Sequence, residues 1–156
     1  MHASCYALME SFAKTLPPGL KVLDVGSADI NGNFKELFTE HEYIGCDVVA
    51  GKNVDVVQDD PMKLPFADGS FDVVISGNMF EHCVQPERMA AEINRVLKFG
   101  GLTCHTTPWV IHYHGEQHFK DYWRLSPDAF AWLFNGYTVI ANRFDGIDTF
   151  FIGRKD

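Results

Sequence analysis

The stretch VLDVGSADINGNF, Val22 to Phe34, constrains this chain more than any other. An apolar run, Leu20 to Val25, enters a turn at Gly26, and the pattern then predicts a helix opened by Asn31, Gly32 and Asn33. A strand–turn–helix unit of this kind presents bare backbone N–H groups to a nucleotide-like ligand. The next apolar run, Tyr43 to Val48, carries Asp47 near its end. An acid roughly 20 residues past such a turn is placed to accept from a pair of ribose hydroxyls. Two features oppose a dinucleotide. Ala28 stands where the second glycine of G-x-G-x-x-G would admit a pyrophosphate, and Asp24, just before the turn, would repel a phosphate. A ligand with a ribose, no phosphate and a positive charge fits better.

Periodicity predicts helices over Ser4–Leu16, Phe34–His41 and Pro86–Lys98, and another from Ser126-Pro127-Asp128 to Asn135-Gly136. Strands are predicted at Leu20–Val25, Tyr43–Val48, Val54–Gln58, Phe71–Ser76, Leu102–Thr106, Tyr137–Phe144 and Thr149–Gly153, the last two joined through Asp145-Gly146 as a hairpin. The result is a seven-stranded, mostly parallel α/β sheet with an antiparallel addition at one edge and helices on both faces. Val49 to Asn53 is too short for a crossover helix, and Pro61 to Ser70 leaves little room for one, so cover should be thin around the second to fourth strands. With thirteen phenylalanines in the chain, that thin cover points to a partner subunit, such as a second copy in a homodimer, lying over apolar surface.

At 156 residues the chain is the size of one domain, residues 1–156. Thirteen basic against twenty-one acidic residues give a net charge of −8, which disfavours nucleic acid as a partner and favours small molecules, sugars or peptides. Cys5, Cys46, Cys83 and Cys104 are widely spaced and read as buried hydrophobes rather than a metal or disulfide framework. The N-terminus lacks the basic start of a signal peptide, and no apolar run approaches the roughly 20 residues that span a membrane, so a cytoplasmic location is expected.

The segment DDPMKLPFADGSFDVVISGNMFEHCVQPERMAAEINRVLKFGG, Asp59 to Gly101, together with the acid-x-Gly turn, resembles the small type 11 class I S-adenosylmethionine-dependent methyltransferases. That resemblance implies a Rossmann-like fold and S-adenosyl-L-methionine as cofactor. It implies that Asp24, Gly26, Ser27 and Ala28 hold the amino-acid portion and that Asp47 and Val48 hold ribose and adenine. Asp59 or Asp60, with Asp60 aligning better, would take the adenine amino group; Pro61 has no N–H to give a ring nitrogen, so either Met62 N–H substitutes or Asp59 is the acid and Asp60 supplies the N–H. Gly77 and Asn78, ending the fourth strand, should approach the methionine part.

The segment HYHGEQHFKDYWRLSP, His112 to Pro127, resembles the DYWR segment of some bacterial methyltransferases. It is too long and aromatic for a plain connection. One reading is a structural lid packed by Tyr113, Tyr122 and Trp123 with Arg124 paired to Asp121 or another carboxylate. The other is an acceptor pocket in which His114 or His118, followed by His82, removes the acceptor proton. His112, His114 and His118 invite a metal reading, but no cysteine or carboxylate set in the sequence completes it and no metal is expected. A nicotinamide oxidoreductase and a non-catalytic cofactor-binding or scaffold protein remain as alternatives. A nucleic-acid methyltransferase is disfavoured, because SGNMF stands where an N/D-P-P-Y/F tetrapeptide would follow the fourth strand.

Overall fold

The computed structural model describes residues 3–115 and 119–156. Its elements are α1 (Ala3–Ala13), β1 (Lys21–Val25), β2 (Glu42–Asp47), β3 (Val56–Val57), β4 (Phe71–Gly77), α2 (Pro86–Val96), β5 (Leu97–Pro108), α3 (Pro127–Leu133), β6 (Tyr137–Phe144) and β7 (Asp148–Lys155). The strands form one sheet in the order β3-β2-β1-β4-β5-β7-β6. The first five run parallel; β7 pairs antiparallel with β5 and with β6, which forms the edge.

Both faces of the sheet are covered. On one, Cys5, Met9 and Phe12 of α1 pack with Val22, Val73, Ile75 and Cys104. On the other, Met89, Ile93 and Val96 of α2 and Phe130 of α3 pack with Leu23, Val25 and Val74. The alternation Val73–Val74–Ile75 along β4 therefore feeds two cores, as the two-residue period of a strand requires. All four cysteines are free and buried. Among the described residues no helix is long and apolar enough to cross a membrane.

Two expected helices are shortened. The helix predicted over Phe34–His41 is a single 3-10 turn, Lys35–Phe38. The cause is local: the Asp29 carboxylate accepts from Gly32 N and Asn33 Nδ2, and Asn33 Oδ1 accepts from Lys35 N. These side-chain bonds satisfy the donors that a helix start would need and hold the backbone in a turn. Helix α2 ends at Val96, not Lys98, and Leu97 already pairs with Phe71. The bend falls inside the strand instead, at Gly100 with φ +74°.

The short links around β2, β3 and β4 carry no helix, as their lengths predict. Cover between β3 and β4 comes from an irregular segment whose Leu64 is fully buried and whose Met62 and Phe66 pack on the same core. Arg95 of α2 holds that segment. Its guanidinium donates to Phe66 O (2.7 Å), Leu64 O (2.9 Å) and Asp68 Oδ1 (2.8 Å), and pairs with both oxygens of Glu92. Glu92 in turn accepts from Leu64 N at 2.9 Å. The ion pair keeps the Arg95 guanidinium well above and the Glu92 carboxyl below their ordinary pKa ranges.

The aromatic and aliphatic side chains left exposed lie mainly away from this region: Val139, Ile140 and Phe144 on β6, Ile147 in the hairpin turn, and Trp109 and Val110 after β5. Arg95→Ala should therefore lower unfolding free energy by about 1.5–3 kcal/mol, the range for losing hydrogen bonds from a charged group. Urea denaturation measures it; a change below about 0.5 kcal/mol, the scale of an ordinary surface substitution, would show the loop is held otherwise.

Candidate active site

The carboxyl ends of β1, β2 and β4 open onto a cleft of about 800 Å³. An open parallel sheet binds its ligands at this edge. Its floor begins at Gly26, whose φ of +80° turns the chain sharply after β1. The resemblance implies that Gly26 holds the amino-acid portion of a cofactor. A Cβ there would strike Met79 Cγ at 2.6 Å, so the close approach is first of all between two loops of the protein. Gly26 N and Ser27 N both donate to Cys46 O (2.8 and 3.2 Å), fixing the turn to the end of β2.

Asp24, the last acid of β1, is buried. Its Oδ2 accepts from the Tyr43 hydroxyl at 2.5 Å, while Oδ1 has no hydrogen-bond partner among the described residues, and the residue lines the cleft. Burial pushes its pKa up to about 7, against the lowering effect of the Tyr43 bond, and the charge of Asp47 adds to the rise. Asn53 ties the neighbourhood together, donating to Ser27 O (2.9 Å) and Tyr43 Oη (3.0 Å) while its own carbonyl accepts from Ser27 Oγ (2.9 Å). Asp47 ends β2 at the cleft, with Oδ2 accepting from Ala28 N (3.0 Å) and Oδ1 from Val49 N (3.3 Å). Each carboxylate oxygen keeps a second lone-pair site for a ligand hydroxyl.

Val48, Gly77 and Asn78 also line the cleft, as do His82 and His114 at its far end. Asn78 sits at φ +54° and its N–H donates to Thr106 O (3.0 Å), which turns the chain out of β4 along the rim. Asp59 and Asp60 do not form the wall. Both are exposed, and the cleft is lined there by Gln58, Pro61 and Met62. Asp60 Oδ1 accepts from Met62 N at 2.8 Å, so the carboxylate caps its own turn and occupies the N–H that was to replace that of Pro61. Gln58, buried and donating to Asp60 O, was not singled out, because an acid was sought at this point. His118 lies outside the described residues.

The segment after β5 folds back onto the β4 rim. Tyr122 N and Trp123 N donate to Glu81 O (2.7 and 3.3 Å), and Trp123 Nε1 donates to Cys83 O (2.7 Å). Arg124 grips both oxygens of Asp121 (2.5 and 2.8 Å) and also donates to Ile111 O (2.9 Å). The expected Arg124–Asp121 pair is therefore present, and it holds the Asp121 carboxyl down at about 2. The expected aromatic packing is not: Tyr113, Tyr122 and Trp123 are 71%, 49% and 42% exposed.

This docking brings His114 to Glu81 and His82. His114 Nε2 and His82 Nε2 stand 3.8 and 3.6 Å from Glu81 Oε1. The Glu81 carboxylate, beside His114, raises the imidazole's pKa, with His112 O and Asp121 contributing and burial opposing. Glu81 is fully buried and among the described residues neither carboxylate oxygen has a hydrogen-bond partner.

Comparison with known proteins agrees with this architecture. Residues 21–104 match the model of the methyltransferase domain family. An uncharacterized methyltransferase of Mycobacterium sp. (strain KMS) is 36% identical over 122 residues, 70% of this chain and 48% of that protein. The chain spans about half the length of the curated relatives it matches first. Two solved structures share the fold. One is the 1,6-didemethyltoxoflavin-N1-methyltransferase of Burkholderia thailandensis with bound 1,6-didemethyltoxoflavin and S-adenosylhomocysteine (TM-score 0.75, 13% identity, 98% of this chain and 77% of that one). The other is a SAM dependent methyltransferase from Aquifex aeolicus (TM-score 0.70, 17% identity, 95% and 89%). A match across more than half of its residues, on a sheet of this order, makes the chain a member of the methyltransferase domain family.

Proposed function

We propose that this chain binds S-adenosyl-L-methionine in the cleft and passes the sulfonium methyl to an oxygen or nitrogen of a small molecule or sugar. The observation that carries the reading is the pair of acids at adjacent strand ends: Asp24 with an unpartnered buried oxygen, and Asp47 with lone pairs to spare. A cationic amino-acid tail satisfies the first and a ribose diol the second. A phosphate would satisfy neither. The family membership and the S-adenosylhomocysteine in the Burkholderia structure support the same ligand.

The chemistry asked of the protein is modest. The methyl is already activated by its sulfonium, so the protein has to hold the acceptor in line, at about 3–3.5 Å, and keep water out. Gly26 to Ala28 and Gly77-Asn78 give the backbone cradle for the methionine part, and Val48 gives adenine an apolar surface. The acceptor then enters over Glu81, His82 and His114, the group that deals with its proton. The Arg124–Asp121 pair sets where that loop stands.

Asp47→Ala should weaken S-adenosylmethionine and S-adenosylhomocysteine alike by roughly ten- to a hundred-fold, the effect of losing about 1.5–3 kcal/mol of charge-assisted hydrogen bonding. Calorimetry with both ligands checks it, and an unchanged affinity in a folded variant removes Asp47 from the site. A turnover screen across acceptor classes separates an enzyme from a cofactor-binding scaffold, which would bind without turning over.

Asp24 yields a second test. Its carboxyl titrates at about 7 in the folded chain and near its ordinary value when unfolded, so the folded state holds an extra proton between. The stability this confers is complete at low pH and lost as pH rises through the folded value. Asp24→Asn abolishes that loss and should melt above the native chain at pH 8 by at least about 2–4 °C, the shift for 1 kcal/mol in a domain of this size. It should bind S-adenosylmethionine more weakly. A variant that melts lower at pH 8 would mean the carboxylate is stabilised in its charged form.

A further inference from the structure

We propose that Glu81, His82 and His114 form a binding site for one divalent transition-metal ion at the acceptor end of the cleft. The three side chains come from two segments, the rim after β4 and the loop after β5, and their donor atoms all lie within 4.8 Å of one another. All three line the cleft. The sequence offered His112, His114 and His118 as a metal set with no cysteine or carboxylate set to complete it. The fold supplies a different trio, with the carboxylate in it.

Glu81 is the strongest part of the argument. It is 0% exposed, and among the described residues neither oxygen has a hydrogen-bond partner. Its approaches to the two imidazoles, at 3.6 and 3.8 Å, are too long to be hydrogen bonds. A buried carboxylate with no hydrogen bond is costly, and a cation between it and the rings would relieve that cost.

The orientation of the rings points the same way. His82 Nδ1 lies 2.7 Å from Lys120 O. His114 Nδ1 lies 3.1 Å from Asp121 Oδ2 and 3.2 Å from His112 O. Each Nδ1 thus faces only acceptors and carries the proton, leaving the Nε2 lone pair directed at Glu81. Metal-binding histidines are fixed in this way, with the second ring nitrogen donating to a carbonyl or carboxylate. The rings meet edge to face, 5.1 Å apart at 84°, so the lone pairs converge without the rings stacking.

Two imidazoles and one carboxylate suit first-row divalent ions, and they leave coordination positions open to the cleft. The role of the ion rests on the methyl-transfer reading, whereas its binding does not. An acceptor oxygen taking an open position would be fixed beside the sulfonium. A hydroxyl there gives up its proton to water more readily, and the oxygen–methyl bond then forms as the carbon–sulfur bond breaks, releasing S-adenosylhomocysteine.

The test uses the whole chain, freed of metal by chelator and dialysis, and titrated separately with Zn²⁺ and Mn²⁺ in a calorimeter. We expect saturable binding of at least one of them at one ion per chain. Glu81→Gln and His114→Ala should each weaken it by about 100-fold or more, a larger loss than removal of an outer-shell partner causes. His112→Ala, an exposed neighbour that offers only its backbone, should bind as the native chain does. Substituting Co²⁺ should give visible absorption bands that the Glu81→Gln chain lacks. S-adenosylhomocysteine affinity, measured on every chain, reports folding and stands apart from the ion. Cofactor binding without stoichiometric ion binding, or equal ion binding by the variants, overturns the site and leaves the methyltransferase reading intact. Ion binding without cofactor binding upholds the site and removes that reading.

Discussion

One ion pair carries much of this architecture. A parallel sheet normally hides its faces under crossover helices, and here the connection between β3 and β4 leaves little room for one and contains none. Arg95 and Glu92 on α2 replace it by gripping backbone atoms of Leu64 and Phe66, so that an irregular segment covers apolar surface as a helix would. The same segment begins with Gln58, Pro61 and Met62, which line the cleft. Core cover and ligand wall thus hang on one guanidinium. It is a polar solution to an apolar problem, and it works because Arg95 satisfies carbonyls that would otherwise be left without donors.

How far the sequence revealed this depends on the range of the interactions involved. Strand β1, the turn at Gly26 and the acid ending β2 were readable because each is written in a few adjacent residues: an apolar run, a glycine, a carboxylate at the strand tip. The helix predicted after the turn failed for an equally local reason that periodicity ignores. Asp29 and Asn33 bond to nearby backbone and hold the chain in turns. The family pattern points to an acid at Asp59 or Asp60, and pattern alone cannot reveal that Asp60 caps its own turn while Gln58 goes inside.

The acceptor end was the least readable. Glu81 and His82 are neighbours in sequence, but His114 reaches them only because the loop after β5 is pulled back onto the β4 rim. The contacts that do the pulling are mostly to backbone carbonyls, which leave no trace in residue type. Arg124 and Asp121 are the exception, three residues apart, and their pairing was correctly anticipated. Buried Glu81 also shows why composition misleads here. A carboxylate in a Phe-Glu-His sequence looks like an exposed helix-start residue until the fold closes over it.

The anchoring of that loop makes a frame of many of its described residues. The frame is the Asp121–Arg124 pair, the two amides on Glu81 O, the Trp123 indole on Cys83 O, Lys120 O against His82 Nδ1 and His114 N on Asp121 Oδ2. The Tyr113 side chain stands in solvent outside it. Exposed positions of this kind can change without loosening the loop, much as an antibody varies a loop on a constant scaffold. A lineage built on this chain could change the molecules it accepts by rewriting a handful of positions, while the strands that carry Asp24 and Asp47 stay as they are.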